Sequence, residues 1–247
     1  MSSKTKLINV LILSVSRVEA DREQDELPTC LTQIGGLSLL ERILEKSSEL
    51  ANANFTFVFS DNDAKKYHLN KVAEILKPES LSVLVPETTK GSLCTALLAA
   101  STLNQDSELL IISANELVDV DLVSVIDGFR SDKLDGGVLV FQSIQPRYSY
   151  VRLDDDGFVS EAAQRRPISQ NATTGIFWFS KTADFVVGAK SLIRKDTTVD
   201  DAFFIAPVFN ELILKSEKVG IHRIGVNDYR PLKTQKQIDL YESGDQL

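Results

Sequence analysis

Leu7-Ile-Asn-Val-Leu-Ile-Leu13 is the stretch from which the fold is read. It is apolar, rich in β-branched residues, and too short to span a bilayer, which takes roughly 20 apolar residues. With Lys4 and Lys6 before it, the run imitates a secretion signal. Asn9 interrupts the apolar run, however, and no convincing small-x-small cleavage site follows. The stretch therefore reads as the first buried strand of a cytoplasmic protein. Outward from it the chain alternates. Leu37–Leu50 has apolar residues at helical spacing (Leu39, Leu40, Ile43, Leu44), and Phe55–Phe59 is a second strand. Asp61 or Asn62 is placed to cap a helix carrying Tyr67, Val72, Ile75 and Leu76. Leu81–Val85 is a third strand, about Ser92 to Leu103 a helix, Leu109–Ile112 a fourth strand, and about Asp121 to Phe129 a helix. This βαβαβαβα order predicts an α/β fold with a mostly parallel, Rossmann-like sheet, helices on both faces, and a site at the carboxyl ends of the strands.

The second half changes character. Gly137–Ile144 reads as a strand, and Tyr148–Leu153 with Phe158–Ala162 as a β-hairpin turning at Asp154-Asp155-Asp156-Gly157. Thr174–Phe179 is a further strand, Ala183–Ile193 and about Asp201 to Leu214 are helices, Val219–Ile224 is a late strand, and Gln235–Tyr241 is a short helix. No Pro/Gly/Ser linker or repeat separates the halves. The expectation is one domain over 1–247, with halves at 7–131 and 135–247 and a hairpin-rich insert in the second.

Composition narrows the function classes. The 247 residues carry 35 acids against 27 Lys plus Arg, a net charge of −8, which argues against nucleic acid or an anionic membrane as the main partner, and no apolar run approaches the roughly 20 residues that membrane insertion demands. Cys30 and Cys94 form no disulfide framework. With His68 and His222 far from either, no zinc spacing arises. His222 on a strand reads as packing.

Three stretches, read with the segment order, carry a resemblance: Pro146-Arg-Tyr-Ser-Tyr-Val151, Pro167-Ile-Ser-Gln-Asn-Ala-Thr-Thr-Gly175 and Phe203-Phe-Ile-Ala-Pro-Val-Phe-Asn-Glu211. Together they resemble the sugar-side segments of the sugar-phosphate nucleotidyltransferases, in the branch found with capsule and surface-polysaccharide biosynthesis. The resemblance runs from about Leu7 to Tyr241. It implies a nucleotidyltransferase fold of the GT-A-like kind, and transfer of a nucleoside monophosphate from an NTP to a sugar 1-phosphate with release of pyrophosphate. It also implies Mg2+ or Mn2+ as cofactor where the chain is active.

Carried over residue by residue, the resemblance assigns nucleotide binding to Leu13, Ser14 and Ser16 in the loop after the first strand, and to Gly91 and Ser92 of Gly91-Ser-Leu-Cys-Thr-Ala96. Arg17 takes the place of the family's loop arginine and Asn115 that of its metal-binding Asp, as the catalytic candidates. Arg147, Glu161 and Gly175 fall on sugar-binding positions. Four departures sit at the nucleotide end. The Leu13–Arg17 loop has no glycine and runs into acids over 19–26. Thr29 replaces the lysine of a Pro-Lys pair, Asn115 brings no negative charge, and Leu232-Lys-Thr-Gln235 replaces a Gly-Thr-Pro. On the sugar side Gln164-Arg165 stands for a Glu-Lys pair. Arg147, Arg165 and Arg166 form a local basic cluster, read either as surface arginines or as a site for phosphate or an acidic sugar.

Metal candidates among the remaining acids are Glu116 and the Asp119-Val-Asp121 pattern. Asp121 is equally placed to cap the following helix, and Asp200-Asp201 read as caps. Three functions follow: a divergent transferase of surface-polysaccharide synthesis; a non-catalytic homologue that binds a sugar or a protein partner; and a glycosyltransferase using Asp119 and Asp121.

Overall fold

Residues 6–15, 27–87, 89–232 and 237–238 of a computed structural model are described. The opening run is β1 (Ile8–Leu13), buried along its whole length. Parallel partners flank it on both sides, β4 (Ala53–Ser60) and β6 (Glu108–Ser113), and β4 pairs in parallel with β5 (Leu81–Val85). The small hairpin β2 (Gln33–Ile34) and β3 (Leu37–Ser38) turns at Gly35-Gly36, where positive φ angles of 56° and 88° call for glycine. The antiparallel strands β8 (Gly136–Gln142), β9 (Ser149–Leu153), β10 (Val159–Gln164) and β11 (Asn171–Phe179), with β12 (Val219–Arg223), extend the sheet. β7 (Glu116–Val118) and β13 (Tyr229–Pro231) form a separate two-stranded sheet.

Alternation along β1 explains why helices cover both faces. Ile8, Val10 and Ile12 enter a core built with α1 (Leu39–Ser47), α2 (Asp61–Tyr67), α3 (Leu69–Leu76) and α5 (Leu122–Ser131). Leu11 and Leu13 enter the opposite core, with α4 (Ser92–Ala100), α6 (Thr182–Arg194) and α7 (Val208–Ile213). Asn9, the polar interruption, is satisfied: its amide donates to Asn104 O at 3.0 Å and Thr182 Oγ1 at 2.9 Å. No helix among the described residues is long and apolar enough to cross a membrane.

Several local expectations change. The helix expected after β4 is two helices, broken at His68, whose φ is 53°; its cap is Ser60, not Asp61 or Asn62, and Ser60 Oγ accepts from Asp63 N. The helix expected from Asp201 begins only at Val208. Asp200 and Asp201, expected as caps, instead occupy the two left-handed positions of a tight turn closed by paired Val199 and Ala202. Of the helix expected over Gln235–Tyr241, residues 237–238 are helical and the rest lie outside the described residues.

Strand order places the site. From β1 the chain moves to β4 and β5 on one side, then returns to β6 on the other. The carboxyl ends of β1 and β6 are thus a topological switch point, where the outgoing loops diverge and open a crevice.

Candidate functional site

A cavity of about 560 Å3 lies at this switch point. Leu13 and Val15 line it from the end of β1, and Ser113, Asn115 and Glu116 from the end of β6. Gly91, Ser92 and Thr95 contribute the start of α4, and Thr173, Thr174 and Gly175 the bent middle of β11. Arg147, Tyr148 and Ser149 close it from one side of the β9–β10 hairpin, Gln164 and Arg165 from the other.

The hairpin's position follows from β11. The carboxyl half of β11 (Ile176–Phe179) pairs with β6, whereas Ala172, before the bulge, pairs with Tyr150 of β9. The hairpin therefore continues the sheet beyond the end of β6 and overhangs the crevice. Asn210 of α7 holds its outer strand in the manner of a neighbouring backbone. Its Oδ1 accepts from Ala162 N and its Nδ2 donates to Ala162 O, both at 2.8 Å. Ser169 Oγ donates to Val151 O at 2.6 Å on the inner strand. Two of the stretches that carry the family resemblance thus clamp the hairpin over the cavity.

Charge in the cavity is mixed. Lys90, Arg147 and Arg165 supply cations, and Glu87, Glu116 and Asp201 supply acids. Arg147 lies 4.8 Å from the centroid of the Tyr148 ring and donates to its hydroxyl at 2.7 Å. Burial pushes the Tyr148 phenol up, so it remains a neutral hydrogen-bonding group. Arg165 pairs with Asp200 across the mouth. Phe141 and Tyr229 stack on each other and Tyr148, the ring that Arg147 contacts, meets both edge-on, with centroids 4.2 to 5.9 Å apart.

Glu116, 3% exposed, ties the floor together. Its Oε1 accepts from Gly175 N, and its Oε2 accepts from Tyr229 Oη at 3.0 Å. Burial, then the Glu116 charge, holds the Tyr229 phenol well above its ordinary value, so it stays a donor. Gly175 is required by this approach, since a Cβ there would meet Ser113 Oγ at 2.5 Å and Glu116 Oε1 at 2.7 Å. Gly91 is required too, at φ +99°, because a Cβ would strike the Phe203 carbonyl; Phe203 N donates to Lys90 O at 2.8 Å. Asn115 holds Leu232 through its backbone carbonyl at 2.9 Å. Its side-chain Oδ1 is buried and has no hydrogen-bond partner among the described residues, as is also true of Ser14 Oγ at the end of β1.

The structure thus brings together Leu13, Gly91, Ser92, Asn115, Glu116, Arg147 and Gly175. Ser16 and Arg17 lie outside the described residues. Glu161, expected on the sugar side, does not line the cavity; it pairs with Arg152 at 2.6 Å and Arg166 at 2.5 Å. Thr29 stands in a short turn and is not among the lining residues. Asp119 is 75% exposed and pairs with Lys46. Asp121 caps α5, its Oδ1 accepting from Val123 N at 3.0 Å and Ser124 N at 3.2 Å. Neither aspartate is among the residues that line the cavity, and of the two roles weighed for Asp121 the structure shows the helix cap. Lys90 and Thr95 were not singled out from the sequence; the signal was their place around the helix start at Gly91, Lys90 just before it and Thr95 one turn after it.

A divalent cation of the kind the resemblance implies does not fit these donors. Asn115 offers a neutral amide, both Glu116 oxygens are committed to donors of the fold, and the described residues hold no group of three or more His, Cys, Asp or Glu able to grip a metal.

No protein-family model matches the sequence, and no curated protein matches it either. Solved structures do match in fold. A nucleoside-diphosphate-sugar pyrophosphorylase from Vibrio cholerae RC9 superposes with a TM-score of 0.77 at 17% identity, covering 96% of this chain and 100% of that one. A UDP-glucose pyrophosphorylase complexed with UDP-glucose gives 0.75 at 12% identity, covering 96% and 98%. An inositol-1-phosphate CTP transferase from T. maritima gives 0.71 at 13%, covering 98% and 99%. The chain has the mixed α/β fold of the sugar nucleotidyltransferases over nearly its whole length.

Proposed function

We propose that the cavity binds a phosphorylated sugar, as a sugar 1-phosphate or a nucleotide sugar, and that the chain is a divergent sugar-phosphate nucleotidyltransferase of surface-polysaccharide synthesis. The observation that carries this is the convergence of Lys90, Arg147 and Arg165 on a switch-point cavity in a protein of net charge −8. These cations, set beside Glu87, Glu116 and Asp201, suit a ligand that carries an anionic group together with hydrogen-bonding groups. Thr173, Thr174, Ser92 and Ser149 add hydroxyls suited to a sugar.

The reaction to test is nucleotidyl transfer. A sugar 1-phosphate oxygen attacks the α-phosphorus of an NTP, the bond to the β-phosphate oxygen breaks, and pyrophosphate leaves. Arg147 and Arg165 are positioned to hold the sugar phosphate, and the overhanging hairpin excludes water from it. A second reading, binding without transfer, is favoured by the amide at Asn115 and the inward commitment of Glu116. In that reading the chain serves as a sugar-binding subunit with a protein partner.

A thermal-shift panel of the four NTPs, sugar 1-phosphates and nucleotide sugars tests the site. A ligand at about 100 times its Kd adds ~2.7 kcal/mol, a shift of several degrees for a chain of this size. A sugar ligand that stabilises the protein, with pyrophosphate release in the coupled assay, supports transfer. The same shift without pyrophosphate supports the binding subunit, and silence across the panel rejects both.

A further inference from the structure

We infer that the cavity holds its phosphorylated ligand without a divalent cation, with the Asn115 carboxamide hydrogen-bonding to that ligand directly and Arg147, Arg165 and Lys90 supplying the counter-charge. The inference rests on reading the cavity as a phospho-sugar site. It starts from the Asn115 Oδ1, buried just past the carboxyl end of β6, without a hydrogen-bond partner among the described residues, in a residue that lines the cavity. A buried acceptor left unmade costs stability, and native structures rarely retain one without a use. A magnesium ion is a poor candidate for the missing partner, because it asks for anionic oxygens and octahedral order. A ligand hydroxyl is a good one: its O–H donates to Oδ1, while the same amide's Nδ2 donates to a ring or phosphate oxygen.

Glu116 strengthens the argument. Its two oxygens hold Gly175 and Tyr229, so turning the carboxylate toward a metal would release β11 and β13 together. An aspartate at 115 would stand next to that buried carboxylate and would need a cation to be tolerated; asparagine removes the need. The charge of a bound phosphate then falls to the guanidinium and ammonium groups around it, which neutralise phosphate without metal.

Isothermal titration of the full chain with glucose 1-phosphate, UDP-glucose and the other nucleotide sugars and NTPs of the panel, in EDTA and again in saturating magnesium, tests this. The expected result is an affinity that changes by less than about threefold between the two conditions. Asn115→Asp should reverse the behaviour, binding about tenfold or more tightly with magnesium than in EDTA. Asn115→Leu, close in size, should lose about tenfold or more in both. Wild-type binding that collapses in EDTA overturns the inference while leaving the phospho-sugar reading intact. Absence of binding in both conditions across the panel overturns the two together.

Discussion

A buried glutamate stands at the amino end of β6 and another just past its carboxyl end, at the start of β7, and they are finished differently. At the amino end Glu108, 1% exposed, is met by Arg130 of α5. The Arg130 Nε and Nη2 atoms donate at 2.7 to 3.1 Å, and the Trp178 indole N–H lies 3.5 Å away. Past the carboxyl end Glu116 accepts from an amide and a phenol, beside the Asn115 oxygen that has no partner among the described residues. One end is an ion pair closed within the fold; the other opens on the cavity with hydrogen-bonding capacity to spare. A strand in a mostly parallel sheet has a structural end and a working end, and the chemistry of its flanking residues tells them apart.

The most damaging way to test that contrast is Arg130→Ala. Stripping the guanidinium leaves Glu108 buried and uncompensated, which typically costs about 3–5 kcal/mol. For a chain of this length that is a fall in Tm on the order of 10 °C. Ligand affinity should be unchanged once the protein is folded, because the pair lies at the end of β6 remote from the cavity. The double variant Glu108→Leu with Arg130→Met should recover most of the loss, since an apolar pair of similar volume avoids desolvating two charges. A calorimetric melt with a binding titration checks both halves of the statement.

Glu116→Ala comes next. Gly175 N–H and Tyr229 O–H both lose their acceptor, and unmade buried donors cost about 1–3 kcal/mol each before relaxation. A loss near 2–3 kcal/mol is expected, and here, unlike at Glu108, sugar-ligand binding should fall with stability because β11 lines the cavity. Equal binding in the variant and the wild type would erase the distinction between the two ends.

Much of the frame was legible in the sequence. The Leu7–Leu13 run, the helical spacing after Leu37, the Asp154–Gly157 hairpin turn and the cap at Asp121 all depend on a few adjacent residues, and local patterning reports such features. What was not legible required distant partners. Glu116 meets Tyr229 across 113 positions, and β7 and β13 are three-residue strands with no pattern of their own. Glu108 stands just before an apolar run with nothing local to mark it as buried. Glu161 looked like a ligand on position alone, and only the fold reveals that Arg152 and Arg166 already claim it. The helix expected from Asp201 failed for a local reason instead: two left-handed residues and the Pro207 start postpone it.

Tyr229→Phe sharpens the working end at smaller cost. Removing one hydrogen bond to a charged acceptor is worth about 1.5–3 kcal/mol at most, and the retained ring keeps its stacking on Phe141. The pH dependence carries a sign. The folded phenol titrates well above its ordinary value, so the folded state keeps a proton that an unfolded tyrosine gives up near pH 10. That contribution is complete below the unfolded value and is lost as pH rises from there through the folded value. Wild-type Tm should therefore drop on the alkaline side, with Tyr148 and Tyr150, also raised by burial, adding to the fall. Tyr229→Phe should start lower at neutral pH and decline less steeply. Parallel alkaline limbs in the two proteins would mean that the phenol is not the group responsible.

Asp121→Ala has the smallest expected effect and separates structure from chemistry most cleanly. Its carboxylate accepts from two backbone amides at the start of α5 and from Ser124 Oγ, and those bonds keep it below the usual carboxylate range. Losing such a cap should lower Tm by about 2–4 °C, and Asp121→Asn should recover most of it. Binding of UDP-glucose or any other panel ligand should not change in either variant, because Asp121 is spent on the cap and is not among the residues that line the cavity. A variant that melts like the wild type yet no longer binds a nucleotide sugar would give Asp121 a ligand role. It would then be the acids after β6, and not Asn115 and Glu116 at its end, that do the recognition.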